Sequence, residues 1–153
     1  MFILVSFYFL AHAHGQNRGR VHKKQTRVAF TSRMFEDATN LEAGDAIPYA
    51  QEVVDTANAF ANNTFTAPTS GLYFFTWSVT SLPNNPVDTS LMKGTEEIGK
   101  LSCHNFSNGV KRNTCAQSTL AQLRRNDTVW VSAAEAMSRV SGTYWPTFSG
   151  YKL

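Results

Sequence analysis

The 153-residue sequence is poor in histidine, cysteine and glycine, and each shortage narrows what the chain can be. Nine scattered glycines exclude a collagen-like stalk, which needs one at every third position. Of four histidines, His12, His14 and His22 precede the expected domain, so a Ser-His-Asp or Cys-His arrangement is left with His104 alone. The adjacent acids Glu96 and Glu97 diverge on a strand or sit in a solvated turn, a poor start for a two-carboxylate hydrolase. No glycine-rich phosphate loop and no EF-hand-like calcium loop is present. These gaps point away from an enzyme. No helix-period segment of ten or more residues stands out either, which leaves an all-β reading.

Long apolar runs are also lacking. The longest, residues 2–10 broken by Ser6, is too short to span a bilayer. Ala11-His12-Ala13 follows it with the small-x-small pattern of a signal-peptidase site, and Ala13-His14-Gly15 is an alternative. The expectation is a signal peptide over residues 1–15, a secreted protein, a basic N-terminal arm over 16–26 and one globular domain over 27–153. Arg18, Arg20, Lys23, Lys24 and Arg27 face no acid, whereas residues 28–153 hold nine basic and eleven acidic residues. The formal +3 is therefore +5 on the arm and −2 on the domain. Such an arm suits either an anionic surface, such as bacterial lipid or sulfated glycan, or a solvated linker. Its basic residues are not interleaved with aromatics, so nucleic acid is not an expected partner.

What the sequence does have is a series of short apolar runs separated by turn residues, at the spacing of an all-β domain. Residues 26–32 read as a first strand with Val28 and Phe30 on one face, and 46–60 as weak alternating segments broken by Pro48. Residues 71–79, GLYFFTWSV, form the strongest strand, and Pro83 and Pro86 end it. Further strands are expected in 89–94, 96–106, 110–123, 127–133 and 144–153, with 133–140 open between a helical turn and a loop. Tyr73, Phe75, Trp77 and Val79 point to one face of the strong strand, the core. Leu72 and Phe74 point to the other, which an ordinary one-sided sheet would leave polar. Burial is also expected for Trp130, whereas Trp145 is open between core and an exposed rim suited to sugar stacking.

Cys103 and Cys115 flank Asn108-Gly109, a strong hairpin turn pair, and counting outward brings them opposite each other to within one residue. A cross-strand disulfide is the leading reading, because two thiols and the adjacent His104 give poor spacing for a tetrahedral metal. Sequons occur at Asn62, Asn105 and Asn126; Asn105, near the expected hairpin tip, is the best glycosylation candidate, and Asn126 is the one expected to be occluded.

Three ordered segments resemble the globular head domain of complement C1q and its relatives in the TNF-like superfamily. RVAFTS (27–32) resembles that family's opening strand. NTFTAPTSGLYFFTWSV resembles its most diagnostic run, with Phe65, Pro68, Gly71, Tyr73 and Phe75 at recurring positions. LAQLRRNDTVWV and TFSGYKL resemble the last two strands, with Leu123, Asp127, Val129, Phe148 and Gly150 as matched residues. Asn63 and Asn126 stand where the family has glycine, and both residue types tolerate a left-handed backbone. The resemblance implies a ten-stranded jelly-roll sandwich of two five-stranded antiparallel sheets, with Phe30, Phe65, Val129 and Phe148 joining the core. It also implies a homotrimer, in which the second face at Leu72 and Phe74 is a subunit contact; a loop of the same chain is the other way to cover it.

For collagen-free members the resemblance implies lectin-like recognition of microbial surface molecules in innate immunity: lipopolysaccharide, peptidoglycan or glycans. The alternatives are a secreted ligand for a cell-surface receptor or an extracellular-matrix component. Loop candidates for ligand binding are Asn84, Asn85 and Asp88, Lys111 and Arg112, and Tyr144 and Trp145. No cofactor is expected. Some relatives bind calcium near the trimer axis, but no ligand motif here supports carrying that over.

Overall fold

The computed structural model describes residues 27–106, 111–143 and 145–153. The expected leader, the basic arm over 16–26, the Asn108-Gly109 turn and Tyr144 lie outside them. Side-chain alternation organises what is described. The first sheet orders β3 (Gln51–Asp55), β1 (Ala29–Arg33), β12 (Thr147–Lys152), β6 (Gly71–Ser81) and β9 (Asn113–Leu123). The second orders β4 (Phe60–Ala61), β5 (Thr64–Thr66), β10 (Thr128–Ala133), β7 (Val87–Lys93) and β8 (Glu96–Cys103). All the pairings are antiparallel, and the two five-stranded sheets form the expected jelly roll.

A third, two-stranded sheet pairs β2 (Ala38–Leu41) with β11 (Met137–Val140). The second of these strands lies in the segment left open between helical turn and loop. Its apolar Met137 and Val140 are buried and Ser138 and Arg139 are exposed, a spacing that fits one turn of helix equally well. Pairing with the remote β2 decides it.

The core is the space between the two large sheets. Phe30, Phe65, Tyr73, Phe75, Trp77, Val79, Val129 and Phe148 are all buried there. Phe30 stacks on Phe60 and Phe65 at ring-centroid distances of 4.8 and 5.0 Å and meets the edge of Phe148 at 5.0 Å. The ring of Phe30 and that of Phe75 leave no room at Gly150: a Cβ there would lie 2.6 Å from Phe75 and 2.8 Å from Phe30. Trp77 bridges the sheets, its indole N–H donating to Thr89 Oγ1 at 3.1 Å, so its one polar atom is satisfied inside the core. Trp130 is different. Its neighbours Val129 and Val131 take the inward positions, which turns Trp130 to the outer face of the second sheet, half-buried.

The turns use asparagine where glycine is common. Asn62 and Asn63, at φ 50° and 61°, form the two-residue connection from β4 to β5, where Ala61 pairs with Thr64. Both central residues of a type I′ turn need positive φ. Asn126, at φ 72°, does the same service before β10.

The Cys103–Cys115 disulfide is present, with Cα atoms 5.6 Å apart, but not within a hairpin ladder. Cys103 ends β8 and pairs with Val87 in the second sheet; Cys115 lies in β9 and pairs with Val79 in the first. The bond therefore fastens the edge strand of one sheet to the edge strand of the other. Counting outward from Asn108-Gly109 finds the right partners because both strands leave the same connection, but each then pairs with a different sheet.

A second fastening sits at Asp37, between β1 and β2. Its carboxylate accepts from Arg139 Nε at 2.7 Å, from Arg139 Nη2, from the Gly142 amide at 2.7 Å and from Ser141 Oγ at 3.3 Å. Burial alone would raise this carboxyl's pKa; the Arg139 and Gly142 hydrogen bonds and the Arg139 charge outweigh it and hold the group below the usual carboxylate range.

Two outcomes follow from these fastenings. Replacing both cysteines by serine should lower unfolding free energy by about 3 kcal/mol, read from denaturant titration with unchanged native spectra. Because the folded pKa of Asp37 is depressed, its contribution is complete above about pH 5 and disappears as pH falls through the folded value. The melting-temperature gap between wild type and Asp37→Asn should thus be widest near neutrality and narrow on acidification. A gap independent of pH would show that the carboxylate's charge is irrelevant.

Candidate functional site

The strands define two ends. The first and last described residues meet at one, where the Lys152 amide donates to Val28 O at 2.9 Å. At the other gather the end of β1, the starts of β3 and β12, the turn after β6, and the disulfide. Most of the sequence-derived candidates lie at this second, loop end, though they do not make one cluster.

Asn84, at φ 55°, donates its amide to Asn105 O at 2.9 Å. Asn85 is tied into the fold: its amide nitrogen donates to Arg139 O and its Oδ1 accepts from Ser138. Asp88 faces His104, whose Nε2 is 3.1–3.2 Å from both carboxylate oxygens. Burial would raise the Asp88 carboxyl, but hydrogen bonds from Ser102 and His104 and the charge of Lys100 hold it low. Lys111 is exposed beside half-buried Arg112, at the approach to β9. Trp145 is exposed at the rim. Among the described residues no group of three or more His, Cys, Asp or Glu side chains is placed to hold a metal.

Three side chains at this end, Arg33, Phe35 and Gln51, were not among the sequence-derived candidates. Arg33 lies at the end of β1, opposite Thr147 on one side and Gln51 on the other. Its Nε donates to Gln51 Oε1 at 2.6 Å, and its guanidinium carbon sits 4.1 Å from the centre of the Trp145 ring. Beside them Phe35 is 64% exposed, and a cleft of about 460 Å³ is lined by Phe35, Glu36, Asp37, Pro48, Ala50 and Gln51. The period-two pattern of residues 26–32 places Arg33 on the outward face. What no single-strand pattern reveals is that Trp145, 112 positions later, returns to it.

The outer face of the first sheet forms a second surface. Leu72 is exposed, as expected, and Phe74 is half-buried between Leu120 and Tyr151, its partners on the strands either side. The Phe74 and Tyr151 rings are 5.3 Å apart, and Leu120 and Tyr151 remain 55% and 45% exposed. No loop of the described chain covers this patch. It lies toward the terminal end of the face and gives way to Thr76, Ser78 and Ser118 in the loop direction.

The sequons sort differently from expectation. Asn105, favoured from sequence, is buried, with its carbonyl engaged by Asn84. Asn126, expected to be occluded, is exposed in its turn, and so is Asn62. Asn105, two residues past the end of β8, packs back on the turn after β6, which the hairpin picture did not include.

Comparison with solved structures finds the same fold. The globular domain of zebrafish complement 1qA protein matches with a TM-score of 0.62 at 17% identity, over 82% of this chain and 97% of that one. Eiger TNF from S. frugiperda matches with a TM-score of 0.61 at 14% identity, over 84% and 94%. Murine APRIL at pH 5.0 matches with 0.58 at 13%, over 83% and 99%. At such identities the likeness speaks for fold alone. The sequence evidence is more specific, since the C1q domain model matches residues 29–153, from the start of β1 to the last residue. Fold, motif order and family model agree, and the chain belongs to the C1q domain family.

Proposed function

We propose that the chain is a secreted pattern-recognition protein whose C1q heads assemble as a homotrimer and bind microbial surface molecules: lipopolysaccharide, peptidoglycan and glycans. Proteins of this family are in general extracellular binding proteins without enzymatic activity, and the Cys103–Cys115 disulfide suits an oxidising compartment. The observation that carries the reading is the bare apolar patch of Leu72, Phe74, Leu120 and Tyr151 on one face of the fold. Packing that patch against its own copies about a three-fold axis buries it and leaves the loop ends free.

Three weak sites on one rigid body raise avidity by about 10²–10⁴ without new contacts. The basic arm, repeated three times, adds attraction to anionic lipopolysaccharide. The same trimer serves the second reading, a secreted ligand for a host receptor, so the choice belongs to binding experiments.

In sedimentation, the wild-type chain should run as a trimer and Phe74→Glu as a folded monomer, because a charge in the patch centre opposes association. Trimers should bind intact bacteria and immobilised lipopolysaccharide, peptidoglycan or mannan, with the monomeric variant at least tenfold weaker. A trimer that ignores all of these but saturates one receptor on host cells identifies the signalling role instead. Produced in a eukaryotic secretory host, the protein should carry N-glycans at the exposed Asn62 and Asn126 and none at buried Asn105. Glycopeptide mapping with an occupied Asn105 would contradict that assignment.

A further inference from the structure

Trp145 is held in an unusual way. Its φ of 52° lies in the left-handed region, which a bulky side chain adopts only under strain. It also precedes Pro146, whose ring pushes the residue before it toward an extended backbone. Every other non-glycine residue at positive φ among those described is an asparagine. The backbone is pinned around it: the Trp145 amide donates to Gly142 O at 3.2 Å, and Pro146 O accepts from the Met34 amide at 2.8 Å. The indole does not enter the core and stays 53% exposed. Its contact with Arg33 is a single solvent-exposed cation–π pair, weak beside that strain. An aromatic face is thus displayed at the rim with no compensating gain in the core.

The polar groups beside it are one-sided. Arg33 uses Nε on Gln51, and among the described residues no acceptor takes a hydrogen bond from its terminal nitrogens. Gln51 Oε1 is occupied by that same bond, which leaves its amide nitrogen as a donor. Asp37 does not neutralise Arg33, because Arg139, Ser141 and Gly142 already engage its oxygens. Glu36, exposed on the cleft wall, has no ion pair among the described residues. The adjoining cleft, which shares Gln51 with this rim but is not lined by Arg33 or Trp145, has a volume of about 460 Å³, within the range of small-molecule sites, roughly 300–1,000 Å³.

Building on the recognition reading above, we infer that this rim binds a carboxylated sugar, a hexuronic acid residue of a polysaccharide. Arg33's terminal nitrogens and Gln51's amide take the carboxylate, and the exposed face of the Trp145 ring packs on the C–H face of the pyranose. Glu36 accepts from a hydroxyl. The two terminal nitrogens of a guanidinium match the two oxygens of a planar carboxylate, which suits a uronate with neutral hydroxyls around it. Arg33 lies on the same outward face as Phe74, but at the loop end. A trimer built on the apolar patch would present three such rims at that end.

Titration calorimetry of the full chain with oligoglucuronate and with its carboxyl-reduced, neutral counterpart tests the assignment. The uronate should bind at least tenfold more tightly. Arg33→Gln should weaken uronate binding about tenfold or more, the scale of a charge-assisted hydrogen bond, and leave the neutral sugar unaffected. Trp145→Gly should abolish binding of both, with a melting temperature equal to or above wild type, since glycine accepts the positive φ without strain. Equal affinity for the two sugars overturns the proposal, as does full binding by either variant. A lower melting temperature for Trp145→Gly also overturns it, by making the indole structural. If both variants still bind bacteria as wild type does, this site falls and the recognition role stands; if the wild-type chain binds neither bacteria nor any glycan, both fall.

Discussion

A single layer of aromatic rings holds the two sheets at their spacing, and the rest of the molecule hangs from it. Phe30 lies at its centre, touching rings contributed by β4, β5 and β12. Gly150 is the complementary void, the place where a strand withholds its side chain so that Phe30 and Phe75 can meet across it. Interiors are packed densely enough that this fit fixes strand register as well as stability. With the middle set, only the margins need fastening. The disulfide does this at one edge and Asp37 at one end.

Register also links the core to both outward surfaces. In β1, Phe30 enters the core while Thr31 and Arg33 face out, and β6 alternates core rings with Leu72 and Phe74 in the same way. A slip of one residue would exchange these sets. The rim at Arg33 and the patch at Phe74 are therefore placed by the same packing that stabilises the fold. The loops at one end can vary in sequence without disturbing the apolar patch of the outward face, since opposite ends of the strands carry them.

Features governed by local alternation were legible in the sequence, and those governed by remote pairing were not. The inward set of β6 and the outward Leu72 could be read directly, because period two is a property of one strand. The positive φ at Asn63 and Asn126 was legible from the resemblance, which places glycine there, and from asparagine's tolerance of that backbone. The partner of each strand was a different matter. Met137–Val140 looked equally helical until β2 supplied a ladder, and β8 and β9 looked like a hairpin until each joined a different sheet. Trp130 was misplaced by its surroundings, since an apolar strand with both valines inward must turn its third large residue out. At the rim, Trp145 drew notice as an aromatic beside proline, but Arg33, Phe35 and Gln51 looked like ordinary strand ends. Their meeting depends on β1, β3 and β12 being neighbours.

The asparagines in the turns have an effect that the native contacts do not reveal. Asn40, Asn58, Asn62, Asn63, Asn84 and Asn126 all adopt the left-handed conformation that glycine adopts more easily. Each gives up some native comfort, yet each also restricts the unfolded chain more than glycine would, so less disorder has to be surrendered on folding. Part of this domain's stability thus resides in the narrower set of shapes available to the denatured chain. Six positions share that effect, spread along the chain from β2 to the turn before β10.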